Sequence, residues 1–209
     1  MITVRTLYPI AKDSLDHIQP LGTAADNHTS IGLMEEIVAY FEQRKVNVLD
    51  IGCSGGEMVI DFVRNGHTAV GIEGSDYSVV NQRANWPIYH KISLFTCDAT
   101  KRYEIMNDEE PLQFDCIMAW EVLEHIKLED MPIFFSNINR HLKPNGIFIA
   151  SVSMHGLDPQ HVTVLLEETW RKDVLPQYFG SIQPYPFKSW LRDDIRSSSF
   201  VFMGTKKWE

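Results

Sequence analysis

The chain has 209 residues, 44% of them hydrophobic and 22% charged, with a formal net charge of −9. That is enough chain for one α/β domain with a sizeable core, and the acidic balance counts against broad binding to phosphate backbones, which needs clustered Lys and Arg. No apolar run reaches the roughly eighteen residues of a membrane span and no signal-type leader is visible; the three cysteines, Cys53, Cys97 and Cys116, form no C-x-x-C pair. The expectation is a cytoplasmic protein with reduced, buried thiols.

Residues 1–30 are polar and rich in turn formers, as in "IQPLGTAADNHTS", which predicts an arm or lid. A single domain is expected over 31–209, with its substrate-side elements mainly in 154–209. Ser30 is a candidate N-cap, and Ile31, Met34, Ile37, Val38 and Phe41 recur at helical spacing. Then strands and helices alternate. "VNVLDI" (46–51) reads as a strand, "EMVIDFVRNG" (57–66) as a helix, "TAVGIE" (68–73) as a strand and "SVVNQRANW" (78–86) as a helix. "KISLFTCDA" (91–99) and "FDCIMAW" (114–120) are strands, the latter followed by a helix running to about His141. "GIFIASVS" (146–153) is a fifth strand after the turn "KPNG". A helix near 167–175 and a closing strand pair, "YFGSIQPY" and "SFVFMGTKK", follow. Near-continuous apolar strands alternating with amphipathic helices predict a mostly parallel sheet covered on both faces. Ligands of such sheets bind beyond the carboxyl ends of the strands.

Those ends carry the informative residues. Asp50 is followed by Gly52, Gly55 and Gly56, which allow a tight strand-to-helix turn and close backbone approach to a ligand. About twenty residues on, Glu73 ends the next strand, where a carboxylate can accept bonds from ribose hydroxyls. The loop reads D-x-G-x-S-G-G rather than G-x-G-x-x-G. An acid two residues before the first glycine repels a pyrophosphate and suits a cationic amino-acid moiety, so an NAD-dependent oxidoreductase is the weaker reading.

In order, "VLDIGCSGG", "VGIEGS", "CDA", "FDCIMAWEVLEHI" and "LKPNGIFIASVS" resemble the motifs of class I S-adenosylmethionine-dependent methyltransferases, over roughly residues 30 to 155. The resemblance implies a Rossmann-like, seven-stranded sheet whose last hairpin adds an antiparallel strand. It implies that Asp50 and the Gly52 backbone hold the methionine end of S-adenosylmethionine, that Glu73 clamps the ribose and that Asp98 meets the adenine amino group. The Trp120 backbone would line the methionine side, and Cys53, Ser54, Gly56, Gly74 and Ala99 complete the expected cofactor site. Ser54 departs from the pattern, since the family usually has glycine there; its side chain is expected to crowd the loop.

The stretch "AWEVLEHIKL" (119–128) places Glu121, Glu124 and His125 three and four residues apart, on one face if the segment is helical. Acids in a first helical turn are also ordinary partners of the helix dipole. The pattern E-x-x-E-H resembles that of ubiquinone-pathway O-methyltransferases and of small-RNA terminal 2′-O-methyltransferases, in which a downstream His completes a metal site. Here His161 is the expected partner, with His155 as competitor. The expectation is a divalent-cation site made of Glu121, Glu124, His125 and His161, or acid–base catalysis by His125, His161 and Glu121. Of the other histidines, His28 in the arm is better placed than His17, and His67, His90 and His141 read as surface residues. The aromatic stretch 183–190 suggests packing or a pocket wall. The predicted activity is O-methylation of a small polar molecule, such as a sugar or a biosynthetic intermediate. The RNA alternative lacks the Arg/Lys-rich segment it needs.

Overall fold

The computed structural model describes residues 1–42, 44–192, 195 and 199–207; positions 208 and 209 of the expected domain lie outside them. The chain runs β1 (Ile2–Thr6), α1 (Leu15–Ile18), α2 (Leu21–Ala25), α3 (Ile31–Tyr40), β2 (Asn47–Ile51), α4 (Glu57–Arg64), β3 (Thr68–Glu73), α5 (Tyr77–Val80), α6 (Trp86–Tyr89) and β4 (Leu94–Thr96). There follow β5 (Tyr103–Asn107), β6 (Glu110–Pro111), β7 (Phe114–Trp120), α7 (Met131–His141), β8 (Leu142–Ser153), α8 (Glu167–Thr169), β9 (Phe179–Pro184) and β10 (Ser199–Lys206). Among the described residues the main sheet has seven strands in the order β4-β3-β2-β7-β8-β10-β9. β2, β3, β4, β7 and β8 pair in parallel, and β10 joins β8 and β9 antiparallel. This is the doubly wound sheet with a closing hairpin that the sequence predicts.

Strand alternation explains the two cores. Leu49, Ile51, Ile117 and Ala119 point to one face, where Phe134, Phe135 and Ile138 of α7 and Trp170 cover them. Val48, Cys116 and Met118 point to the other, against Leu33 and Ile37 of α3 and Met58 and Phe62 of α4. All seven residues of β7 are buried, as a strand covered on both sides requires. The three cysteines are free and buried, as expected. At the amino edge, buried Asp115 accepts from Arg44 (2.5 Å), the Asn47 N–H (2.8 Å) and Lys143 (2.8 Å), which ties β2, β7 and β8 together.

Four sequence expectations need correction. The arm is not irregular throughout: β1 pairs antiparallel with β5 from Ile2↔Asn107 to Thr6↔Tyr103, in a second, small sheet with β6. The alternation in "ITVRT" is the signal for it, since its two valine and isoleucine side chains pack on the core. The helix expected over 78–86 breaks into α5 and α6, with Gln82 and Ala84 at positive φ between them. The strand expected over 91–99 holds its ladder only over Leu94–Thr96. His141, read as a surface residue, is 4% exposed. Its Nδ1–H donates to the Asn137 carbonyl (2.8 Å) and its Nε2 accepts from the Ile105 N–H (3.1 Å), with the ring stacked on Tyr103. It fastens the small sheet to α7.

Burial, with the nearby Arg140 charge acting in the same direction, holds the His141 imidazolium form down at about 4. The folded pKa lies below the unfolded value, so this contribution is complete above pH ~6.5 and is lost as the pH falls toward 4, by up to about 3 kcal/mol. Denaturant titrations of wild type and His141→Gln at neutral and at mildly acidic pH should show the gap between them narrowing as the pH drops. A gap that stays constant would contradict a neutral, buried His141.

Candidate functional site

At the carboxyl ends of β2, β3, β4 and β7 lies a cavity of about 900 Å³, roofed by arm residues from Leu7 to Asp26 and walled by the loop after β8. The glycine loop forms its floor. Gly52 and Gly56 adopt φ of +76° and +84°, and Ser54 adopts +47°. A Cβ on Gly52 would stand 2.6 Å from Val122 Cγ2, so both backbone shape and space require glycine there.

Glu73 lies at the end of β3, 7% exposed. Its Oε2 accepts from the Ser54 N–H (2.9 Å) and its Oε1 from the Ser75 N–H (3.2 Å). Burial raises its pKa, and these backbone donors only partly offset that. A carboxylate so placed is fixed in direction and retains lone pairs for ligand hydroxyls. Asp98 is held by the Thr100 N–H (2.9 Å) and Oγ1 (2.6 Å), both on Oδ1. Ala99, Gly74 and Trp120 line the same cavity. Asp50 and Cys53 instead line a neighbouring pocket of about 40 Å³, together with Gly52, Ser54 and Trp120. Burial and then the Glu73 charge push Asp50 up to about 8, so its carboxyl would ionise against a cation brought beside it. Gly56 lines neither pocket; it caps α4 in the left-handed region, and a Cβ there would meet Leu94 at 2.6 Å. Its glycine is explained by backbone geometry, not by ligand contact.

Ser54 does not crowd the loop. Its hydroxyl points outward and donates to the carbonyls of Asp26 (2.6 Å) and Thr23 (3.2 Å) on the arm. The Gly55 N–H also donates to the Asp26 carbonyl (3.2 Å), as does Arg83, while Arg192 pairs with the Asp26 carboxylate. Ser54 thus pins the arm to the floor.

The segment after β7 departs from the expected geometry. Glu121, Glu124 and His125 do not open an α-helix: Glu121 sits at φ +54°, a 3₁₀ turn covers Leu123–His125, and α7 starts only at Met131. The Glu121 N–H donates to Ser151 Oγ (2.9 Å), and its Oε2 accepts from Ser199 (2.9 Å). The turn directs Glu124 and His125 toward His161, and each of the three offers a ligand atom within 4.8 Å of the others. Glu121 stands outside that group. Glu124 is fully buried; its Oε1 accepts from the Ser153 N–H (3.1 Å), and its Oε2 has no partner among the described residues. Burial, then the Glu121 charge, push it up to about 8. The His161 Nδ1–H donates to the His155 carbonyl (2.7 Å), and its Nε2 lies 3.9 Å from Asp158 Oδ2. His155 therefore contributes backbone, not a ring. The His125 and His161 rings meet edge to face with centroids 4.9 Å apart.

Three residues not anticipated from the sequence complete the site. Asp16 on α1 lies 3.1 Å from His125 Nδ1. Gln160, 5% exposed, donates to the carbonyls of Leu15 (3.4 Å) and Gln19. Thr163 donates to the Ile126 carbonyl (2.6 Å) and fixes the loop after β8 to the 3₁₀ turn. Their short polar side chains carry no periodic signal, and the partners lie more than thirty residues away. Of the remaining histidines, His17 lines the cavity, whereas His28 touches only the small pocket. In the aromatic stretch, Tyr185 packs edge-on against Trp120 and Phe187, in the packing role.

A family model described as a methyltransferase domain matches residues 26–187. The ubiquinone biosynthesis O-methyltransferase of Rhodopseudomonas palustris (strain BisB5) is 27% identical over 106 residues, 51% of this chain and 39% of that protein. The match thus spans well under half of that relative's length. In fold, the chain is similar to the 1,6-didemethyltoxoflavin N1-methyltransferase of Burkholderia thailandensis, with a TM-score of 0.60 at 15% identity over 91% of this chain and 84% of that one. It is also similar to a TehB-like SAM-dependent methyltransferase of Corynebacterium glutamicum, with a TM-score of 0.58 at 16% identity over 91% and 94%. The family match takes in the glycine loop, Glu73, Asp98 and the turn after β7 in one unbroken segment, and the chain belongs to the class I S-adenosylmethionine-dependent methyltransferases.

Proposed function

We propose that this enzyme transfers the methyl group of S-adenosylmethionine to a hydroxyl of a small polar molecule, such as a sugar or a biosynthetic intermediate. One observation carries the reading: a single cavity joins Glu73 and Asp98, suited to an adenosine, with His125 and His161, suited to a hydroxyl. The name of the R. palustris relative, an O-methyltransferase, supports an oxygen acceptor. The carboxylates around the cavity, among them Asp13, Asp16, Asp26 and Glu129, favour a cationic sulfonium donor and oppose the phosphate backbone of an RNA. We read residues 1–30 as a lid over a single domain, in keeping with the arm's place as the cavity roof. No helix among the described residues is long and apolar enough to cross a membrane; the buried free cysteines fit a cytoplasmic protein.

In this reading Glu73 accepts from the ribose hydroxyls, Asp98 from the adenine amino group, and Asp50, Gly52 and Cys53 enclose the methionine end, with Ser54, Gly74, Ala99 and Trp120 around them. Their contribution is alignment, which places the methyl group in line with the acceptor oxygen. The imidazoles of His125 and His161 take up the hydroxyl proton as the oxygen attacks. Glu121, whose buried Oε1 has no partner among the described residues, adds negative charge beside them. The donor set also fits a divalent cation: Glu124 has a buried oxygen with no partner among the described residues, and one ligand atom from each of Glu124, His125 and His161 lies within 4.8 Å of the others. Such an ion, held by Glu124, His125 and His161, would stabilise the alkoxide as a Lewis acid.

Two measurements test this. Glu73→Ala should weaken binding of S-adenosylmethionine at least roughly tenfold by calorimetry, because two charge-assisted bonds of ~1.5–3 kcal/mol each are lost; unchanged affinity would remove Glu73 from the cofactor site. Mn²⁺ titrated into the metal-free protein should bind at one site, and His161→Ala should weaken that binding about 10- to 100-fold. Equal affinity in the two proteins, together with full turnover in chelator, would exclude a cation held by these three residues.

A further inference from the structure

We infer that Asp16 is a positioning residue for His125, delivered by the arm, so that the site is complete only when the arm is closed. The inference rests on the reading of His125 as a group acting on the acceptor. Asp16 Oδ2 lies 3.1 Å from the buried His125 Nδ1, at ion-pair distance but off the line of a formed hydrogen bond, and the His125 and His161 rings meet edge to face. A carboxylate beside Nδ1 favours the proton there, which sets the tautomer and leaves Nε2 as the lone-pair nitrogen. Without it the ring is free to turn or to carry its proton on Nε2, which would remove both its basicity and its capacity as a ligand.

The arm is held in a way that lets it open. α1 buries no residue, and Leu15, Ile18 and Leu21 are exposed. Polar contacts do the holding. The Ser14 side chain caps α1 by accepting from the Asp16 N–H (3.2 Å). Gln160 grips α1 at both ends, at the Leu15 and Gln19 carbonyls. Ser54 and Gly55 grip Asp26 beyond α2. A segment fixed by a few hydrogen bonds rather than by apolar burial sits at the low end of local stability. Its carboxylate therefore reaches His125 only in the closed state.

The test uses the full chain, and its deciding readout needs no acceptor. Two-dimensional ¹H–¹⁵N spectra of the histidine rings, taken at alkaline pH where the imidazole is neutral, report the tautomer; His125→Gln identifies the His125 signals. Wild type should show the Nδ1–H form. Asp16→Ala should shift His125 toward Nε2–H. Asp16→Asn, whose amide oxygen still accepts from Nδ1–H, should keep the Nδ1–H form. Amide exchange across residues 15–25 then shows whether the arm stays docked in Asp16→Asn, as expected if only the charge is lost. In methyl transfer, kcat should fall roughly 10- to 100-fold in Asp16→Ala and less in Asp16→Asn, with the affinity for S-adenosylmethionine within about twofold of wild type. An unaltered Nδ1–H tautomer in Asp16→Ala would overturn the proposal whatever the activity. So would a loss of cofactor affinity equal to the loss in kcat, which would make Asp16 a cofactor ligand. Because the tautomer needs no substrate, it decides the role of Asp16 even if the acceptor class proposed above is wrong.

Discussion

The two-sided burial of β7 is the constraint from which the rest follows. A parallel strand covered by helices on both faces can expose no polar side chain along its length, and "FDCIMAW" obeys this apart from Asp115, whose charge is met at the amino end by Arg44, Lys143 and a backbone N–H. All the chemistry is thereby displaced to the carboxyl end. There the chain leaves the sheet through the left-handed Glu121 and a 3₁₀ turn. The neighbouring strands β2 and β3 release their own polar residues at the same edge, which brings Asp50, Glu73, Asp98 and His125 together from four separate stretches of sequence.

The electrostatics at that edge are mainly acidic, although Lys12, Lys101, Lys127 and Arg192 also line the cavity. Asp50, Glu73 and Glu124 are all buried, and burial lifts the pKa of each. Each raised carboxyl represents a preference for a neutral form that a bound cation would reverse. A sulfonium near Asp50 and a divalent ion near Glu124 would each relieve a local cost already built into the fold. The same logic explains why a net acidic chain suits this donor.

Ser54 illustrates how a departure from a family pattern can acquire a role. A glycine would have served the turn; the serine accepts the strain of a positive φ and uses its hydroxyl to hold the arm through Asp26. Arm, glycine loop and the loop after β8 become one hydrogen-bonded enclosure, with Gln160 as the second fastening. The roof of the cavity is therefore polar at its joints, and it leaves Leu15, Ile18 and Leu21 exposed.

The sequence by itself determined the strand–helix alternation, the parallel sheet with its closing hairpin, and the acids and glycines of the cofactor loop. These depend on local periodicity and on single residues at strand ends, which are properties of short windows. It missed β1 and its pairing with β5, although "ITVRT" alternates, because a strand's partner about a hundred residues away leaves no local mark. It misjudged His141, since one histidine looks alike whether it is solvated or wedged between Asn137 and Ile105. The group of Glu124, His125 and His161 was legible as residue types, but its shape was not. Helical spacing suggested three ligands on one helix face, with His161 as a fourth from a distant loop, whereas the left-handed Glu121 takes that side chain out of the group and a 3₁₀ turn presents Glu124 and His125. Only the tertiary structure could bring in Asp16, Asp26 and Gln160, because hydrogen bonds between short polar side chains and distant backbone are set by where the packed sheet leaves the loops.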